Sequence, residues 1–309
     1  MSDWRTWPQA ELERQYDARG TVPDIALELK AYRDASTPMY ALTPCWRDVA
    51  YGPGPDETVD LFPLAGHPDA PLLVFIHGGY WRALHSQDSV FMAQQFTSHG
   101  VAVAAINYTL APQATLAQIL KQCQRAVAWL QKYATPYGIA PKRTVLAGSS
   151  AGAHLAAMLL SPDWHDEGQL PPKSLNGGVL LSGLYDLEPV QQCLPNTWLN
   201  LNVQEAKRLS PIAHLPDPRL PLYVAVAEQD TDEFKRQSSD YAAACHAQGN
   251  LVTWHTAPQR NHFDIVLDWM DPKSHLFQAT MALLSETPEQ KIKRVSSIAP
   301  VQPKITGEK

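Results

Sequence analysis

A serine stands in a glycine-flanked bend, Gly148-Ser149-Ser150-Ala151-Gly152, between the apolar run Val145-Leu146-Ala147 and the Ala-rich stretch Ala153-His154-Leu155-Ala156-Ala157. Where a strand turns at once into a helix, the residue at the bend takes unusual backbone geometry and its side chain stands clear of both elements. Small neighbours such as Gly148 and Gly152 let the two elements close up. The helix that follows aims its free N–H groups at the same point, where they favour developing negative charge. A hydroxyl held there is placed for nucleophilic attack, and Ser150 holds that place; Ser149 is only its neighbour.

A hydroxyl is a weak nucleophile at neutral pH, so a base must take its proton and a third group must orient the base. On sheets of this kind the partners follow the serine, acid first and histidine last, on loops at the carboxyl edge. Asp230 comes just after the apolar run Leu222–Ala227, and His262 lies in Arg260-Asn261-His262-Phe263-Asp264, past a run ending near Thr256. Asp186 and Asp232 compete for the acid's part, Asp186 most seriously because it follows the run ending at Leu181. His154 lies one helical turn past Ser150 and reads as packing beneath the bend. His255 sits within a strand, and His77 precedes a glycine pair that needs anchoring.

Acyl transfer also needs backbone N–H donors aimed at an oxyanion, and a glycine-rich loop lets the backbone approach closely. His77-Gly78-Gly79-Tyr80-Trp81 directly follows the apolar run Leu72–Ile76. Gly79 and Tyr80 are the expected loop donors, with Gly78 as alternate and Ala151 supplying the N–H after the nucleophile.

These residues need a frame of strands and helices. From Pro71 onward, short apolar runs alternate with longer helical stretches, the pattern of buried parallel strands joined by crossover helices. Strands are expected at 72–76, 101–106, 144–147, 178–181, 222–227 and 251–256, and helices at 86–99, 116–133, 151–160 and 232–248. Two earlier runs, 47–51 and 58–64, flank Gly52-Pro53-Gly54-Pro55-Asp56 and read as an antiparallel hairpin at one edge. The fold class is therefore α/β, with a mostly parallel central sheet and helices on both faces. Residues 1–285 are expected to form one domain. Within it, 1–45 is a helical segment lying over the main body, with a helix-like run from Pro23 to Leu29. The interval 188–216 carries Pro189, Pro195, Pro211 and Pro216 and reads as a small cap, and 286–309 reads as a flexible tail.

Composition narrows the function. The chain has 309 residues and a net charge of -6 without a basic block, which argues against a nucleic-acid surface. The opening MSDWRTWPQAELERQYDARG is polar where a secretory leader would be apolar, and no stretch approaches a membrane span, so a cytoplasmic protein is expected. Cys45, Cys123, Cys193 and Cys245 lie far apart, with no CxxC pair or metal-ligand spacing, and are expected as reduced packing thiols. The chemistry calls for no metal and no organic cofactor, and a small molecule is the expected partner. A homodimer is left open.

The motifs together resemble the kynurenine formamidases (arylformamidases), α/β-hydrolases with an HGGxW motif related to the hormone-sensitive-lipase-like esterases. The likeness runs through ERQYDARGTVPD, HGGYW, NYTLAPQATLAQILKQC, GSSAGAH, SGLYDLEPV, DTDEFKRQS and NHFDIV, in that order. HGGYW and NHFDIV are the specific segments; GSSAG is shared by many esterases. Glu228-Gln229, ahead of Asp230, departs from the pattern. The resemblance implies Ser150 as nucleophile, Asp230 as orienting acid, His262 as base and the HGGYW loop at the oxyanion hole. It also implies N-formyl-L-kynurenine as substrate, with Tyr80, Trp81 and the cap forming an aromatic-lined pocket for the aryl ring. A carboxylesterase for short-chain or aryl esters is the alternative reading. A non-catalytic ligand-binding relative is disfavoured, because the chain keeps the full nucleophile set.

Overall fold

Uninterrupted runs of Val, Leu, Ile and Ala can be buried on both faces only inside a sheet that is covered twice. The computed structural model, which describes residues 4–164 and 175–285, builds such a sheet. Its strands are β1 (Trp46–Ala50), β2 (Thr58–Phe62), β3 (Leu72–Ile76), β4 (Ala102–Ile106), β5 (Thr144–Ser149), β6 (Gly177–Leu181), β7 (Leu222–Ala227) and β8 (Val252–Ala257). They lie in the order β1-β2-β4-β3-β5-β6-β7-β8. The β1–β2 and β2–β4 pairs are antiparallel, and every pair from β4 to β8 is parallel. Strands β3 to β7 are buried at every residue, whereas at the two edges β1 exposes most of its residues and β8 half.

Helices α1 (Gln9–Tyr16), α2 (Ile25–Ser36) and α3 (Met39–Leu42) precede the sheet, and α4 (Ala93–Thr97), α5 (Leu116–Tyr133) and α6 (Ala151–Leu160) cross between its strands. Because successive strand residues point to opposite faces, Leu72, Val74 and Ile76 join α5 and α6 in one core layer. Leu73 and Phe75 enter the other, with Phe91, Phe96 and Trp269. The single helix expected over 86–99 is instead a 3-10 turn, Ser86–Asp88, and the short α4. Long-range bonds break it: Ser86 Oγ donates to Asp60 Oδ2 at 3.1 Å and the Val90 N–H donates to Ser36 Oγ at 3.2 Å. The tail expected over 286–309 lies outside the described residues.

The segment at 188–216 holds two short helices, Asn196–Leu199 and Val203–Arg208, the second closed by a capping box between Asn202 and Glu205. It is fastened to the main body from below. His154, on α6, donates from Nε2 to Leu209 O at 2.7 Å. His77 donates from Nδ1 to Gly78 O at 3.0 Å and stacks on Tyr108 with ring centroids 4.3 Å apart. Both imidazoles are fully enclosed, and loss of hydration pulls each from its ordinary value of 6.5 down to about 4.

The sign of the resulting pH dependence is fixed. Below about pH 6.5 the unfolded chain takes up protons that the native imidazoles refuse until about pH 4, so stability falls across that window as pH is lowered. A drop from 6.5 to about 4 corresponds to on the order of 3 kcal/mol per imidazole. Urea unfolding at pH 7 and pH 5 should therefore show His154→Gln losing roughly 2 kcal/mol less than the parent between the two pH values. Equal losses would contradict the buried neutral state of His154.

Candidate active site

Ser150 follows the last residue of β5 and precedes the first residue of α6, at φ 56° and ψ -121°, a backbone state that side chains other than glycine rarely take. The bend closes because Gly152 has no side chain: a Cβ there would lie 2.0 Å from Ile76 O on β3. The Ser150 N–H donates to Leu181 O at 2.8 Å, which ties the bend to the end of β6. No side chain caps α6. Its first N–H groups are left free at the serine, as unsatisfied helix starts are.

The loop after β3 comes directly against this bend. A Cβ on Gly78 would lie 2.7 Å from Ser149 O and 3.3 Å from Ser150 Cβ, and one on Gly79, at φ 92°, would lie 2.3 Å from Ala83 O. Only bare backbone fits there. Among the described residues, the N–H groups of Gly79, Tyr80 and Ala151 have no protein acceptor. Donors left free in this way are the resource an oxyanion site requires.

At the ends of β7 and β8 the chain brings Asp230 and His262 together. His262 Nδ1 lies 2.6 Å from Asp230 Oδ1, with both side chains almost wholly enclosed. The other carboxylate oxygen, Oδ2, accepts from Ser182 Oγ at 2.6 Å and from the Ala227 N–H at 3.0 Å. Each oxygen of Asp230 is thus held, so the carboxylate cannot turn away from the ring. With Nδ1 engaged, Nε2 is the imidazole nitrogen left for chemistry. His262 and Ser150 line the same cavity.

The rival residues are occupied elsewhere. Asp186 Oδ1 accepts the Glu188 N–H at 3.0 Å, and its backbone is gripped by Gln237. Asp232 is exposed at the start of the helix Asp232–Gln248. His77 and His154 make the structural bonds described above, and His255 stacks on His275 at the sheet edge, 4.1 Å between centroids.

The cavity has a volume of about 70 Å³, several times the ~10–15 Å³ that one water needs. Tyr32, Phe75, Leu84, Phe91, Phe263 and Val266 make it largely apolar. Tyr80 lines it too, with its hydroxyl donating to Tyr16 O at 2.5 Å. Trp81, expected beside Tyr80 on the pocket wall, lies elsewhere. Trp81 is fully buried and not among the residues lining the cavity, edge-on to His154 with ring centroids 5.0 Å apart. From 188–216 the ring that reaches this loop is Trp198, whose Nε1 donates to Tyr80 O at 3.0 Å.

Two contributors escaped the reading of the sequence. Ser182, the residue after β6, holds the acid; its only signal is its place at the carboxyl edge of an apolar run. The N-terminal segment supplies Ala18, Arg19, Ile25, Leu29 and Tyr32 to the cavity wall. Tyr32 Oη also donates to Phe263 O at 2.6 Å, and Asn261 Nδ2 donates to Glu28 Oε1 at 3.0 Å, so α2 grips the residues on both sides of His262.

A mostly parallel sheet in this order, with a serine at the strand-to-helix bend and an acid and a histidine after later strands, defines the α/β-hydrolases. The chain is a hydrolase of that class. The family described as BD-FAE matches residues 60–166. The kynurenine formamidase of Salmo salar is 34% identical over 301 residues, covering 93% of this chain and all of that protein. That of Danio rerio is 31% identical over 300 residues, covering 93% of this chain and again the whole relative. The chain belongs to the kynurenine formamidase family. Among solved structures, a putative thioesterase from Silicibacter sp. TM1040 is similar at a TM-score of 0.76 and 26% identity, covering 88% of this chain and 99% of that one.

Replacing Ser182 tests the support of the acid. Ser182→Ala removes a bond to a carboxylate and is expected to lower kcat about 10- to 100-fold with little change in KM. Steady-state kinetics beside an unfolding curve is the measurement, and an unchanged kcat would remove Ser182 from the account.

Proposed function

We propose that the chain hydrolyses aryl formamides, with N-formyl-L-kynurenine going to kynurenine and formate, through Ser150, His262 and Asp230. The observation that carries this reading is the 2.6 Å bond between His262 and Asp230 on the cavity that also receives Ser150. The relatives named kynurenine formamidase, matched across their whole length, supply the substrate class.

In the first half-reaction Ser150 Oγ bonds to the formyl carbon while its proton passes to His262 Nε2. Asp230 stabilises the imidazolium and keeps the ring in the tautomer that presents Nε2 to the serine. The carbonyl oxygen takes up negative charge, which the N–H groups of Gly79, Tyr80 and Ala151 stabilise; the Gly78 N–H is the alternate donor. Collapse breaks the C–N bond, and the departing amine takes the proton from His262. Water, deprotonated by the same imidazole, then cleaves the formyl ester, releasing formate and restoring the serine.

Residues 1–285 act in this reading as one domain, with 188–216 as a cap whose Trp198 steadies the oxyanion loop. The four cysteines are unpaired thiols, which suits a cytoplasmic setting. Hydrolysis of short-chain or aryl esters is the second reading, favoured by the apolar cavity wall and by a relative named as an esterase.

Ser150→Ala is expected to lower turnover of N-formylkynurenine by at least about 10⁴-fold while leaving the unfolding midpoint in place. Near-normal activity in that variant would overturn the mechanism. Rates on N-formylkynurenine and p-nitrophenyl acetate, measured side by side, separate the formamidase from the esterase.

A further inference from the structure

Among the described residues that line the cavity, Arg19 is the one Lys, Arg, Asp or Glu. It is solvent-exposed, whereas Phe75, Phe91 and Ser150 are buried, so it stands at the mouth. Its backbone is fixed in the 3-10 turn Ala18–Thr21: Asp17 Oδ1 accepts the Arg19 N–H at 3.1 Å, and Thr21 Oγ1 donates to Ala18 O at 2.7 Å. The residue before Asp17 is tied to the oxyanion loop through the Tyr80–Tyr16 bond. Arg14 and Arg236 spend their guanidinium groups on Glu11 and Glu233, but among the described residues no carboxylate pairs with that of Arg19.

An arginine at the mouth of an apolar cavity, with no carboxylate on its guanidinium, is suited to a planar anion, which it can grip through two parallel N–H bonds. We propose that Arg19 is a specificity-determining residue, selecting substrates whose leaving group is an aromatic ring bearing a carboxylate. The acyl carbon then sits at Ser150, the ring lies along Tyr32, Phe263 and Leu29, and the carboxylate reaches the mouth. This assignment rests on the hydrolase reading above but not on the choice between amide and ester.

The test uses four substrates: formanilides with and without a carboxylate on a short side chain of the ring, and the matching pair of phenyl acetates. The parent is expected to prefer the carboxylated member of a pair, and to do so less in 0.5 M salt. Arg19→Gln should raise KM for the carboxylated member about 10-fold more than it raises KM for the neutral member. Arg19→Lys should keep part of the preference. Equal losses on charged and neutral substrates, or a preference that survives Arg19→Gln, would overturn the assignment. If only the esters turn over and they show the Arg19-dependent preference, the formamidase reading fails and this one stands. If formamides turn over without regard to charge, the outcome is the reverse.

Discussion

Holding a serine at φ 56° and ψ -121° costs on the order of 1–3 kcal/mol of backbone strain, and a strain of that size survives only where its surroundings over-determine it. Here they do. β5 is buried along its whole length, Gly152 brings α6 onto β3 with no room for a methyl group, and the Ser150 N–H is fastened to the end of β6. The bend cannot relax without parting the central strands from the helix that crosses them. That constraint puts a hydroxyl, a free helix start and the glycine loop after β3 within one small volume.

The remaining groups are brought to that volume by elements that no local pattern connects. The N-terminal segment reaches three loops. The Gln15 carbonyl accepts from Thr231 Oγ1, beside the acid; the Tyr16 carbonyl accepts from Tyr80 on the glycine loop; and α2 holds Asn261 and Phe263 on either side of the histidine. A buried set of Tyr16, Glu233 and Gln237 locks the same segment to the helix that follows Asp230. The cavity is therefore walled as much by the first helices as by the sheet edge that carries Ser150 and His262.

Most of the frame was legible in the sequence, because fully buried parallel strands write themselves as unbroken apolar runs. The elbow was legible for a related reason: glycines at both sides of a serine, between a strand and a helix, have a local steric cause. Asp230 and His262 could be placed by chain order alone, and the structure brings those two side chains into contact. What stayed hidden depends on direction and distance in space. Trp81 carries the ring type expected of a pocket wall, but it packs inward against His154 while its neighbour Tyr80 faces the cavity, and side-chain direction is not written in residue type. The helix expected over 86–99 lost to bonds from Ser36 and Asp60, which lie far away in the chain. Ser182 and Arg19 were not singled out by residue type or spacing, since each acquires its part only through a neighbour that folding supplies.

The central claim is that Ser150, His262 and Asp230 act as one unit with the backbone N–H groups around the bend. A crystal structure of the protein after reaction with an aryl phosphonate tests it most directly. The account predicts a bond from phosphorus to Ser150 Oγ, the phosphonyl oxygen about 3 Å from the N–H groups of Ala151 and Gly79 or Tyr80, and His262 still paired with Asp230. Phosphorus on another residue, or a phosphonyl oxygen turned away from those donors, would contradict it.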